Sequence, residues 1–171
     1  MKNFIKRKLM VWLVAMFVMQ SQISAYAGEW AGISEIESIN LFTNSKESRL
    51  VGNPKGRWIS SIEARISDEG GGDIGVYADV LCHEAVQSIR IWIYLEHYNE
   101  ENQIWETFDK QEFEWLAEDF PGQELTMATV SYNIPNQPRG QYYRLQGRFG
   151  ATSFTNSSEA WRAFTDGLYI E

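Results

Sequence analysis

Ser88-Ile89-Arg90-Ile91-Trp92-Ile93-Tyr94-Leu95-Glu96 alternates without a break: branched aliphatics stand at 89, 91, 93 and 95, with arginine, tryptophan, tyrosine and glutamate between and after them. Successive side chains on a strand point to opposite faces, so a period of two means one buried face and one open face. The stretch therefore predicts the central strand of a sheet, with the chain folded over its aliphatic side. The other side is unusual in carrying two large aromatic rings and a guanidinium.

The same texture continues on both sides. Residues 58–67 put Ile62, Ala64 and Ile66 on one face, and residues 74–82 alternate Ile74, Val76, Ala78, Val80 and Cys82. Between them 68–73, Asp-Glu-Gly-Gly-Gly-Asp, reads as a turn, because glycine supplies positive φ and aspartate supports turns. Further on come a turn at 99–102, a short strand at 104–108 and another at an edge over 112–116. An acidic loop at 117–123 and a long strand at 125–134 follow. Residues 135–140 form a compact turn, 141–149 a strand, 150–157 a loop, and 159–171 a last strand broken near Asp166-Gly167. Seven or eight strands and no helical period predict an all-β chain, a single antiparallel β-sandwich over residues 57–171.

Two segments precede that domain. Residues 1–27 have a basic start (Lys2, Lys6, Arg7, Lys8), an apolar run from 9 to 19, and Ala25-Tyr26-Ala27 as a small-x-small cleavage site. This is the pattern of a secretory signal peptide, and the run is shorter than the ~20 apolar residues that span a bilayer. The expectation is a secreted, extracellular protein with no membrane insertion after cleavage. Residues 28–56, rich in Ser, Asn, Glu and Gly and without a period, read as a polar arm or linker.

Four of the 15 basic residues and none of the 23 acids lie within residues 1–27, so the remainder carries 11 bases against 23 acids, a net charge of −12. Phosphate binding needs clustered Lys and Arg, so nucleic acid and anionic lipid are excluded as expected partners. Cys82 is the one cysteine. It forms no internal disulfide and is expected to act as a small buried hydrophobe.

Tyr142-Tyr143-Arg144-Leu145-Gln146-Gly147, after the 136–140 Asn-Gln-Pro-Arg-Gly turn, resembles the sixth strand of an immunoglobulin-like sandwich. Tyr143 sits two residues before Leu145, the placing of a tyrosine corner, and Leu145 stands where the half-cystine would be. With the signal peptide and the ending Glu159-x5-Thr165-x-Gly167-Leu168-Tyr169-Ile170, the chain resembles a family of small secreted immunoglobulin-like β-sandwich proteins from clostridia-like Gram-positive bacteria. The resemblance covers about residues 58–171. It implies fold and address; it brings no active site.

If Ile89, Ile91, Ile93 and Leu95 point inward, Arg90, Trp92, Tyr94 and Glu96 point out. By the same rule Tyr142, Arg144, Gln146 and Arg148 point out from the strand holding Tyr143 and Leu145. In an immunoglobulin-like sandwich these two strands are neighbours. The candidate ligand-binding residues are therefore Arg90, Trp92, Tyr94, Tyr142, Arg144 and Arg148, since Trp, Tyr and Arg dominate binding hot spots and flat rings suit sugars. The competing reading is a cross-strand ladder that only stabilises the sheet, or a face covered by the 28–56 arm.

No catalytic, metal or cofactor assignment is made. The 68–73 turn lacks the alternating acid series of a calcium loop. The carboxylate pairs Glu112/Glu114 and Glu118/Asp119 read as solvated surface, and the first as edge protection beside Lys110. Cys82 and His83 are adjacent and so point to opposite faces. The expected function is a non-enzymatic binding or interaction module for a glycan, a cell-envelope component or an extracellular protein. The alternatives are a self-associating structural module and a small secreted hydrolase or effector.

Overall fold

The computed structural model describes residues 34–37 and 42–171, the former as backbone only. The expected signal peptide and the rest of the 28–41 stretch lie outside the described residues.

The chain is all-β and forms two sheets. In order, the strands are β1 (Ser34–Glu37), β2 (Phe42–Thr43), β3 (Glu47–Gly52), β4 (Ile59–Gly70), β5 (Asp73–Cys82) and β6 (Ser88–Asn99), then β7 (Ile104–Leu116), β8 (Met127–Ile134), β9 (Gln141–Thr152), β10 (Ser158–Phe164) and β11 (Gly167–Ile170). One sheet, here sheet A, runs β7-β6-β9 and then β10 and β11, which both pair with β9 and carry β1 and β2 on their far sides. The other, sheet B, runs β3-β4-β5-β8.

The 88–96 stretch lies in β6, between β7 and β9, and is the middle of sheet A. Ile89, Ile91, Ile93 and Leu95 are all at most 1% exposed. At about 1.5–3 kcal/mol for each fully buried aliphatic side chain, this row alone is a large part of what joins the layers. Leu145 and Phe149 of β9 extend it sideways, and Ile62, Ala64, Ile66, Val76, Ala78 and Val80 of sheet B close over it.

The structure departs from the sequence reading at three places. The described part of the 28–56 stretch is not a coil arm, because it contributes β1, β2 and β3. β1 and β2 run parallel to β10 and β11, so sheet A is mixed rather than purely antiparallel. Their pairing partners lie more than 120 residues away, beyond any local periodicity. The two short strands expected at 104–108 and 112–116 are one strand, β7, with an irregularity where Leu95 faces Asp109 and Glu96 faces Thr107. The extra residue, Phe108, switches which parity faces inward, so one strand reads as two.

The 68–73 turn contracts, because β4 continues to Gly70. Asp68 Oδ1 accepts from Gly70 N at 2.9 Å, and Asp73 Oδ1 accepts from Asn136 N at 2.9 Å, so both carboxylates hold backbone donors. Gly72 has φ +91°, and a Cβ there would lie 2.6 Å from Gln137 O. Glycine is required at this contact between the two turns.

Tyr143 is fully buried, and its hydroxyl donates to Pro138 O at 2.7 Å while accepting from Gln141 Nε2. The bond ties the entry of β9 to the preceding turn. Tyr143→Phe is expected to lower stability by about 1–3 kcal/mol, since it orphans a carbonyl and an amide at once. Urea unfolding with an unchanged m-value would register the loss.

Cys82 is buried, as expected of a small hydrophobe. Burial, and secondarily the charge of Glu159, push its thiol from 9.0 up to about 11. A raised acid pKa means that the folded chain keeps a proton the unfolded chain has lost, so this contribution is intact below pH 9.0 and declines from there to about pH 11. Native protein at pH 8 is expected to react slowly with an aromatic disulfide reagent and completely in denaturant, and Cys82→Ala removes the thiol's share of the alkaline loss of stability, leaving that of the buried tyrosines.

Candidate functional site

The six candidate residues share one surface, the outer face of sheet A. Trp92 stands opposite Arg148, Tyr94 opposite Gln146, Glu96 opposite Arg144 and Arg90 opposite Gly150. β7 adds Glu114, Glu112 and Lys110 on the same side, opposite Arg90, Trp92 and Tyr94; β10 adds Arg162 and Phe164, opposite Arg148 and Gln146.

Most of this face is internally satisfied. Arg90 Nε donates to Glu114 Oε1 at 2.6 Å. Arg144 Nε donates to Glu96 Oε2 at 2.6 Å, and its guanidinium lies over the rings of Trp105 at 4.5 Å and Phe164 at 4.9 Å. Thr107 Oγ1 donates to Glu96 Oε1 at 3.4 Å. The Gln146 amide, oriented by its surroundings, donates to Glu96 Oε1 at 3.2 Å and accepts from Arg148 Nε at 3.1 Å and Arg162 Nε at 3.3 Å. Tyr94 has two cations on its ring, Arg148 at 4.6 Å and Lys110 at 5.4 Å. A carboxylate 7% exposed, holding an arginine and an amide across adjacent strands, is a staple of the sheet.

Trp92 was expected to stand open on this surface. It is on the expected side but only 8% exposed. It occupies the centre of the sheet, opposite Glu112 on β7 and Arg148 on β9, so long side chains surround it.

The open part of the face lies at the other end of the same strands, where Tyr142 is. Here Phe42 of β2, Tyr98 of β6, Trp105 of β7, Tyr142 of β9 and Tyr169 of β11 come together. Ring centroids lie 4.5 Å apart for Phe42–Tyr142, 5.2 Å for Phe42–Tyr98, 5.1 Å for Tyr98–Trp105 and 5.0 Å for Tyr142–Tyr169. Phe42 is 38% and Tyr169 41% exposed. Beside Tyr142 and Tyr169 is a cavity of about 400 Å³ whose other walls include Asn44, Lys46 and Asp68.

Of the six candidates, Tyr142 is the one that belongs to this cluster. Sequence reasoning missed Phe42, Tyr98, Trp105 and Tyr169. Tyr98 has the parity of Tyr94 and Trp92 along one strand, a signal that was present. Phe42 reaches the face through a parallel pairing that no local pattern encodes.

The outer face of sheet B is different in kind. Arg49 donates twice to Glu63, at 2.7 and 2.6 Å, and Arg65 lies over Tyr77 at 4.6 Å and near Glu47 at 3.6 Å. These are exposed ladder pairs, which solvent screens and which contribute little to stability.

The carboxylate pairs considered for hydrolysis are not in a shared cleft: Glu112 and Glu114 stand on the outer face of β7, and Glu118 and Asp119 lie exposed in the 3-10 turn after it. His97 Nε2 lies 3.3 Å from Glu106 Oε2. Among the described residues no group of three or more His, Cys, Asp and Glu side chains is placed to hold a metal ion. No protein-family model matches the chain, and comparison with curated proteins gives no match.

Proposed function

We propose that the chain is a secreted, non-enzymatic binding module of immunoglobulin-like fold, and that a glycan docks on the outer face of sheet A at its Tyr142–Tyr169 end. The observation that carries the reading is the meeting of five aromatic side chains from five strands, with Phe42 and Tyr169 well exposed, beside a polar-walled cavity. A sugar ring presents C–H groups on its faces and hydroxyls at its rim. Tyrosine rings receive the first; Asn44, Lys46 and Asp68 are suited to hydrogen-bond the second. Such clusters of exposed aromatic rings mark interaction sites.

The immunoglobulin-like assignment is supported by strand order. β7-β6-β9-β10 follows C′-C-F-G, and β4-β5-β8 follows A-B-E, with β3 as an addition beside A. The Tyr143 hydroxyl bonded to Pro138 O, five residues upstream, has the form of a tyrosine corner at the start of strand F. Secretion rests on the 1–27 pattern, and mass spectrometry of exported protein should find Gly28 as its first residue.

Self-association through the same aromatic end is the second reading, favoured by the exposure of Phe42 and Tyr169. A glycan array separates the two when paired with sizing across concentration. Saturable binding by a monomer supports the glycan; a concentration-dependent dimer that binds no glycan supports self-association.

A further inference from the structure

On one side of the sandwich the two sheets end in β7 and β8, and a cleft of about 410 Å³ lies between them. The two edges differ. β7 is guarded by its bulge at Phe108 and by Asp109, Lys110, Glu112 and Glu114. β8, Met-Ala-Thr-Val-Ser-Tyr-Asn-Ile, has no charge, no proline and no bulge. It pairs with β5 in unbroken register from Leu81↔Met127 to Ile74↔Ile134, and among the described strands with β5 alone. An uncharged, regular, unpaired edge is a template for another strand.

The cleft carries polar groups where a sandwich interior is usually apolar. Asp109 and Gln111 lie on the inward side of β7, opposite Leu95 and Ile93. The Asp109 carboxylate is contacted by Gln111 Nε2 at 3.3 and 3.4 Å, and among the described residues no cation forms an ion pair with it. Across the cleft Tyr132 of β8, its ring centroid 6.0 Å from that of Phe113, has a buried hydroxyl without a hydrogen-bond partner, the one such side-chain atom among the described residues. A buried hydroxyl without a partner destabilises the fold, so its retention calls for a reason.

We propose that this side of the sandwich is a strand-addition site for an extended basic peptide. The peptide pairs with the edge of β8 and extends sheet B. A lysine or arginine on its inward face enters the cleft, where its N–H groups donate to the Asp109 carboxylate and the Tyr132 hydroxyl, and its apolar stem packs on Phe113 and Val130. The acidic excess of the chain, −8 over the full sequence, favours the approach of such a partner.

The probe is a fluorescent nonapeptide of alternating valine and threonine, beginning and ending with valine, with lysine in place of the central valine. Anisotropy is read against the purified full chain. Saturable binding is expected. It should fall at least tenfold when glutamate replaces the lysine or when Asp109→Asn is introduced, and vanish when alternate peptide nitrogens are methylated. Tyr132→Phe should weaken binding several-fold while leaving the melting temperature equal or higher, because it removes an orphaned hydroxyl. Lysine and glutamate peptides binding alike, binding that survives methylation, or no saturable binding would overturn the proposal. So would Asp109→Asn changing only the oligomeric state, which would make Asp109 a guard of the β7 edge.

Discussion

Phe149→Ala is expected to lower stability by about 3–5 kcal/mol, enough to unfold a domain of ordinary stability near its working temperature. Phe149 is fully buried at the middle of β9, with Ile91 on one side and Trp161 on the other. Its ring lies over Gly147, where an added Cβ would meet it at 2.6 Å. The missing side chain at 147 and the ring at 149 therefore form one packing unit. Truncating the ring leaves a cavity that the flanking strands, hydrogen-bonded on both edges of β9, cannot collapse into. Thermal or urea unfolding checks the loss, and Phe149→Leu should recover part of it.

Glu96→Ala is the second large effect, expected at about 3–5 kcal/mol and toward the lower end because a fifth of the Arg144 side chain reaches solvent. The substitution removes the acceptor of Arg144, Thr107 and Gln146 together. The arginine then keeps only its aromatic neighbours, with its charge uncompensated in a mostly covered site. Replacing Glu96 and Arg144 together by leucine and methionine should cost much less than Glu96→Ala alone. That difference, read from urea curves, measures the staple and not the volume of the side chain.

Both effects fall on the pair β6 and β9, the part of the fold most legible in the sequence. Their alternation is clean, their inward rows are the core, and their outward rows share one face. Legibility failed where order depends on distant pairing. β1 and β2 join the sheet by lying parallel to the last two strands, and their sequence has no period to reveal it. It failed again at β7, where one extra residue at Phe108 reversed the parity.

The candidate site was half legible for a related reason. Parity tells which side of a sheet a residue takes, not how crowded that side is. Arg90, Tyr94, Arg144 and Arg148 point as expected but are held by one another and by β7 and β10. Trp92 is enclosed among them. The rings left accessible are at the end of the strands, where Tyr142 meets Tyr169 of the antiparallel β11 and Phe42 of β2, which runs parallel to β11.

The outer face of sheet A thus divides into a paired ladder that holds the strands and an aromatic end where Phe42 and Tyr169 stay exposed. The most direct test of that division is the glycan-array signal of the Tyr142→Ala/Tyr169→Ala chain beside that of the unsubstituted one, with melting temperatures recorded on the same samples. Loss of at least nine-tenths of the signal is expected, with a melting temperature within a few degrees. Undiminished glycan binding by the doubly substituted, folded chain would mean that the glycan docks elsewhere.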